Sequence, residues 1–160
     1  MPFAKVSSLG EYVGRLPYDC ECVRELTTFA EKHNIKSAVF NLIGAAKSAK
    51  LAYYDQKAKK YREFEVNEET EVVSCTGNIS WKDGRPFVHA HASLAKEDGT
   101  TVGGHLRGMR VFAVEVYLRR FKDPIERIPD EVTGLNLMNF EKNPEHDIKD
   151  VSDVKRNRQA

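Results

Sequence analysis

The sequence predicts a single mixed domain, one amphipathic helix followed by a run of β-strands, and three observations carry that reading. Its 160 residues suffice for one domain with one substantial core. A stretch near residues 20–33 carries apolar residues at helical spacing. Beyond it, β-branched and aromatic runs alternate with turn clusters.

The helix is expected from about Cys20 to His33. Asp19 is placed to accept a first-turn N–H, and Glu21 suits the positive end of the helix. Val23, Leu26, Phe29 and Ala30 share one face, and Asn34 is a left-handed stop. This face reads as ordinary core.

Ser37 to Ile43 is a buried strand by length, followed by Gly44. Lys50 to Tyr54 and Tyr61 to Val66 flank the polar turn Asp55-Gln56-Lys57-Ala58-Lys59 and predict a hairpin. Glu71 to Ile79 is a further strand, interrupted by Gly77, and Lys82 to Pro86 is a turn cluster. Phe87 to Ala95 and Thr100 to Leu106 are strands around Glu97-Asp98-Gly99, and Val111 to Leu118 is a strand of its own. Pro129 to Phe140 is apolar at intervals and is expected to pack back onto the sheet.

The domain is expected over 1–140 and a charged tail over 141–160. The last twenty residues hold ten charged ones and no aromatic, too little apolar surface to offset ordering entropy. That tail is expected to be mobile, with His146 and the basic cluster Lys155-Arg156-Asn157-Arg158 solvated.

Composition narrows the function classes. No apolar run approaches the roughly 20 residues needed to span a bilayer. Met1-Pro2-Phe3-Ala4-Lys5 lacks the features of a signal peptide, so a soluble cytoplasmic protein is expected. Cys20, Cys22 and Cys75 are an odd, irregular set, which argues against a disulfide framework. Cys20-x-Cys22 has no second pair to complete a metal site and reads as two small residues at a helix start. With 25 basic and 24 acidic residues the net charge is +1, which counts against strong autonomous binding to DNA phosphates.

Chemistry concentrates in Pro86 to Leu106. Alternate residues of a strand share a face, so His89 and His91 point the same way, with Cα atoms about 6.6 Å apart. A three-residue hairpin loop is typically a type I turn closed by a left-handed glycine, and Glu97-Asp98-Gly99 fits it. Lys96 then pairs with Thr100, and His91 falls opposite His105 on the same face. A two-residue Asp98-Gly99 loop would slip the register by one and turn His105 away. A bulge at Gly103-Gly104 would alter it as well.

Convergent, the three imidazoles suit zinc, whose nitrogen ligands lie at about 2.0–2.1 Å, and leave a fourth position for water or substrate. Nickel, iron and copper also accept three imidazoles. Gly103 and Gly104 allow a backbone or ligand to approach closely beside His105. Without a metal, the same residues are a polar patch on a strand.

At this motif the sequence resembles the PPC domain, the plants-and-prokaryotes-conserved family. The resemblance rests on Gly84-x-Pro86-x-x-His89-x-His91, Asp98-Gly99, Gly103-Gly104-His105-Leu106 and the strand ending near Glu115. Leu16 to Ala30, Ile35-Lys36-Ser37-Ala38, Ile43-Gly44-Ala45 and Cys75 to Ser80 follow the family's order of blocks. Tyr18 stands before Asp19 where the family pattern suggests glycine.

The resemblance implies an α+β fold with a central, mainly antiparallel β-sheet and flanking helices, and a homotrimer that covers sheet edges. It also implies zinc at His89, His91 and His105. For function it implies a DNA-binding or regulatory module, since plant members carry AT-hooks and prokaryotic ones a DNA-binding label. An AT-hook centres on Arg-Gly-Arg-Pro in the narrow minor groove. Here Asp83-Gly84-Arg85-Pro86 puts an aspartate at the first arginine, in a turn between strands, and is not an AT-hook.

A more distant resemblance, to acetolactate decarboxylase, implies the alternative of a zinc-dependent enzyme on a small oxo- or hydroxy-acid. Arg15 or Arg107 would then neutralise a substrate carboxylate, although each also reads as a surface charge. Glu115 is an acid–base candidate only if the chain bends near Gly108, because a continuous strand carries it about 33 Å from His105.

Overall fold

The computed structural model describes residues 3–140. The sequence positions His146 and 155–158, with the whole expected tail, therefore lie outside the described residues.

The helix, α1, runs Cys22–Lys32 and starts later than the sequence suggests. Residues 19–21 instead bond to the chain at 110–111: the Asp19 N–H donates to Val111 O at 2.9 Å, Cys20 O accepts from the Val111 N–H at 3.1 Å, and Glu21 bridges Arg110. Glu21, not Asp19, is the cap, accepting from the Val23 and Arg24 N–H groups at 3.0 and 2.8 Å. Asp19 sits at φ 63° and pairs with Lys47 and Arg110. Asn34, at φ 50°, ends the helix, and the Ile35 N–H closes onto Ala30 O at 2.8 Å.

Eight strands form one sheet: β1 (Ser8–Arg15), β2 (Ala38–Asp55), β3 (Lys60–Val66), β4 (Thr70–Lys82), β5 (Arg85–Ala95), β6 (Thr101–Phe121), β7 (Glu126–Pro129) and β8 (Asn136–Asn139). Two of them merge what the sequence reads as separate strands. Ser37–Ile43 and Lys50–Tyr54 both lie in β2, and 100–106 and 111–118 both lie essentially in β6. The residues that looked like strand ends are irregularities within them. Gly44, at φ 133°, lies where the β2–β4 register shifts, and a Cβ there would stand 2.0 Å from Ala113 O. Opposite the Lys50/Leu51 shift, pairing on β6 steps from Gly108 to Leu106. β1 escapes sequence reading because it is exposed along nearly its whole length and shows no alternation.

β2 pairs with β4, β4 with β5, β5 with β6 and β6 again with β2, all antiparallel, so four strands close a ring. Phe40, Leu42, Ile79, Leu94, Val114 and Leu118 are buried side chains of this ring. Leu26 and Ala30 of α1 join the same core. Burying a side chain of leucine size contributes about 1.5–3 kcal/mol. Sheet dominates; α1 is the one helix among the described residues, so flanking helices in the plural are not found there. The segment expected to pack back does so as the β7–β8 hairpin, which meets β4 through the parallel bridge Trp81–Glu126.

Candidate metal centre

The turn that decides the histidine register is the three-residue one. Gly99 has φ 81°, its N–H donates to Lys96 O at 2.9 Å, and the Lys96 N–H donates to Thr100 O at 2.9 Å. The Asp98 carboxylate accepts from the Thr100 N–H at 2.8 Å and its hydroxyl at 2.6 Å, which stiffens the loop. Pairing then runs from Ala95–Thr101 outward to His91–His105. Asn78 pairs with His89 and Thr76 with His91 on the other side of β5.

Gly103 and Gly104 are required by backbone rather than ligand. A Cβ on Gly103 would lie 2.9 Å from Ala92 O, and one on Gly104 would lie 2.8 Å from Ala52 O. They let β6 sit tightly between its neighbours with the register intact.

The three imidazoles converge. Ring centroids are 5.2 Å apart for His89–His91, 5.1 Å for His89–His105 and 5.4 Å for His91–His105. One ligand nitrogen from each lies within 4.8 Å of the others. His91 is exposed, His89 half-buried, and His105 is 8% exposed. His105 Nδ1 is buried with no hydrogen-bond partner among the described residues. A buried imidazole nitrogen without a partner is costly.

Burial pushes His89 down to about 4, helped by Arg127 and His91. His105 is lowered to about 4 by burial first, then by its histidine and arginine neighbours. Both rings are therefore neutral near pH 7, the form that ligates a metal. The residues present fit a borderline divalent ion: three imidazole nitrogens, no carboxylate in the cluster, and one exposed side.

The surroundings include residues that sequence reasoning missed. Tyr61 lays its ring 4.8 Å from that of His105, and Tyr54 packs against Tyr61 at 4.9 Å. The β7–β8 hairpin supplies Arg127. Its Nε donates to Ser80 Oγ at 2.7 Å, Nη1 to Asn136 O at 2.7 Å and Nη2 to Asn78 Oδ1 at 2.9 Å, while Nη2 stands 3.3 Å from His89 Nδ1. The hairpin is tied down further by Tyr54 OH donating to Thr133 O at 2.6 Å and Lys59 Nζ to Glu131 O at 2.8 Å. No local motif could reveal Arg127, which lies between the strand read over 111–118 and the apolar stretch read over 129–140.

Of the other candidates, Arg107 lies nearby, over the Tyr61 ring at 5.4 Å, but it is paired with Glu63 at 2.9 Å. Arg15 and Glu115 pair with each other across β1 and β6, with Ile43 on the far side of Glu115. β6 continues as one strand from His105 past Gly108 to Glu115, and Glu115 pairs with Arg15 and Ile43 rather than beside a histidine. Asp83 (φ 50°) and Gly84 (φ 79°) form the tight β4–β5 turn, far from an extended AT-hook. The three cysteines are free thiols; Cys22 opens α1, and burial raises Cys75 to about 11.

Known proteins share this architecture. A metal-containing protein from Archaeoglobus fulgidus is similar at 38% identity and a TM-score of 0.84, covering 87% of this chain and 99% of that one. A plant- and prokaryote-conserved (PPC) protein from Pyrococcus horikoshii is similar at 37% identity and TM-score 0.83, over 87% and 97% of the two chains. A Bacteroides thetaiotaomicron protein, named only provisionally as DNA-binding, matches at 27% identity and TM-score 0.79, over 86% and 98%. At 12% identity and TM-score 0.51, a Staphylococcus aureus protein of unknown function, similar to alpha-acetolactate decarboxylase, shares the fold over 72% of this chain and 53% of its own. The bifunctional protein GlmU of Synechococcus sp. (strain JA-3-3Ab) is 30% identical over 142 residues, 84% of this chain. The chain spans only 21% of that protein's length. The pattern of one family covers residues 4–122, through the helix, the ring of strands and all three histidines, and the chain belongs to it: the Plants and Prokaryotes Conserved (PCC) domain family.

Proposed function

We propose that this chain is a metal-binding PCC-domain module in which His89, His91 and His105 hold one divalent transition ion, zinc by donor set, with a further position open. The observation that carries the reading is the convergence of three imidazoles, one ligand nitrogen of each within 4.8 Å of the others. A relative at 38% identity that is itself metal-containing adds support. The role we propose for the metal is regulatory, on the outer face of the sheet where Val39, Asn78 and His89 are cross-strand neighbours.

Exposed Val13, Val39 and Ile43 lie on that face and suit self-association, for which we propose the homotrimer. DNA is proposed as a contact of the assembled protein, on the strength of the provisional name of a relative at 27% identity. The net charge of +1 makes that contact weak for one chain. A mobility shift on A·T-rich duplex at moderate salt tests it, and no retention would end that part of the reading.

A second reading, a zinc-dependent enzyme acting on a small oxo- or hydroxy-acid, draws on the exposed side of the cluster, where His91 leaves room for a ligand.

Elemental analysis of purified full-length protein decides the metal. About one equivalent per chain is expected, and loss of it in His89→Ala. Substoichiometric metal, equal in both proteins, would refute the site.

A further inference from the structure

Arg127 lies outside the stretch that the family pattern covers, yet it reaches the histidine cluster. Its guanidinium is half-buried, stacks on Phe87 at 5.2 Å and, among the described residues, donates only to neutral groups: Ser80 Oγ, Asn136 O and Asn78 Oδ1, with His89 Nδ1 as the fourth contact. An inward-facing cation without a carboxylate partner is unusual. Arg107, the other guanidinium that acts on His105, is offset by Glu63.

The contact with His89 has a definite polarity. Guanidinium only donates, and a neutral imidazole has a single nitrogen lone pair. The 3.3 Å contact from Arg127 Nη2 therefore occupies the lone pair on Nδ1 and leaves the proton on Nε2. A metal ion needs that same lone pair, whichever nitrogen it takes, because ligation at Nε2 moves the proton to Nδ1. Metal and Arg127 cannot both hold it. A bound dication would also add two positive charges beside a guanidinium that no carboxylate among the described residues neutralises.

We infer that Arg127 and the metal exchange a single contact on His89: loading the ion releases the guanidinium N–H, which then binds a small oxyanion of the carboxylate class sitting on the ion's open position. One oxygen of that anion would meet the ion and the other Arg127. Metal and anion then bind with positive coupling, and the coupling is reciprocal. The inference rests on the metal reading above and deepens it: the ligand is anionic, and the residue that selects it is Arg127.

The test uses the full chain loaded with cobalt(II), whose visible spectrum reports its coordination, with acetate as probe and phosphate as a second oxyanion. Acetate is expected to change the spectrum saturably and to tighten cobalt binding against a competing chelator. Arg127→Met should weaken acetate at least about tenfold, the loss expected for one charge-assisted hydrogen bond, and abolish the tightening. Arg127→Lys should retain part of both. The wild-type protein gives a check that needs no variant: nitrogen-15 spectra of metal-free His89 should place the proton on Nε2. Cobalt binding with equal acetate affinity in wild type and Arg127→Met, or a proton found on Nδ1, overturns the inference and leaves the metal site standing. Failure of wild type to bind cobalt at all overturns both. A response to phosphate but not acetate overturns the carboxylate assignment.

Discussion

Gly77 links the core to the histidines, and replacing it with alanine tests that link. It lies on β4, between Phe40 of β2 and Ala90 of β5. A Cβ built there would stand 2.3 Å from Phe40 Cζ, 2.8 Å from its Cε2 and 2.5 Å from His89 O. Carbons in contact sit at about 3.5–4.0 Å, so the ring must retreat by about 1 Å or β5 must move at His89. Phe40 is 1% exposed and has nowhere empty to go. Overpacking of this kind costs about 1–3 kcal/mol, and the lower entropy of the unfolded alanine chain offsets about 0.4–1 kcal/mol of it. Gly77→Ala should therefore lose about 1–2 kcal/mol, a fall in Tm of roughly 3–8 °C for a domain of this size. Urea unfolding should show a lower midpoint with an unchanged slope. Gly14→Ala is the matched control, with nothing within 4 Å of its added Cβ, and should be neutral or slightly stabilising. Because the strain falls on the His89 backbone, cobalt affinity should drop as well. Equal stability of Gly77→Ala and Gly14→Ala would refute the reasoning.

Other consequences can be measured separately. Asp98 is held below the usual carboxylate range by the Thr100 hydroxyl and N–H. A lowered folded pKa contributes stability that is present above about pH 4 and lost as pH falls through the folded value. Asp98→Asn keeps the acceptor but not the charge, so its urea midpoint should lie below wild type at pH 7 and converge with it near pH 3; a constant gap would contradict this. Native protein should react with a thiol reagent slowly and mainly at Cys20, since Cys22 and Cys75 are fully buried and burial raises both thiols. Fast reaction of all three without denaturant would show that packing around them is wrong. Tyr54→Phe removes the 2.6 Å bond to Thr133 O and should cost about 1 kcal/mol. Its signature is faster amide exchange across 126–139, and unchanged exchange there would mean the hairpin is anchored elsewhere.

The histidine site was legible because it depends on local rules. Period-two alternation sets His89 beside His91, and the positive φ of Gly99 fixes the loop that brings His105 across. Where glycine served another purpose, the same rules misled. Gly44 and Gly108 look like strand ends, yet they fall at irregularities inside β2 and β6. Asp19 looks like a cap, but pairing of residues 19–21 with β6 delays the helix and hands that task to Glu21. Arg127, Tyr61 and Asn78 were invisible because their places around the histidines come from sheet closure between distant segments. β1 was invisible because an exposed strand carries no hydrophobic alternation.

The closed ring of strands also orders events in time. The β5–β6 hairpin that joins His91 to His105 closes a short loop, whereas β2 meets β6 only across pairings as distant as Ala38–Arg120. Closing the longer loop carries a larger entropy cost, and topologies dominated by such pairings fold slowly. During refolding the histidines thus face one another before Tyr61 and Arg127 arrive to enclose them. An ion present from the start meets its ligands in an open hairpin, while one added to the finished protein reaches them only from the side on which His91 is exposed. The order of addition therefore sets how fast the site fills.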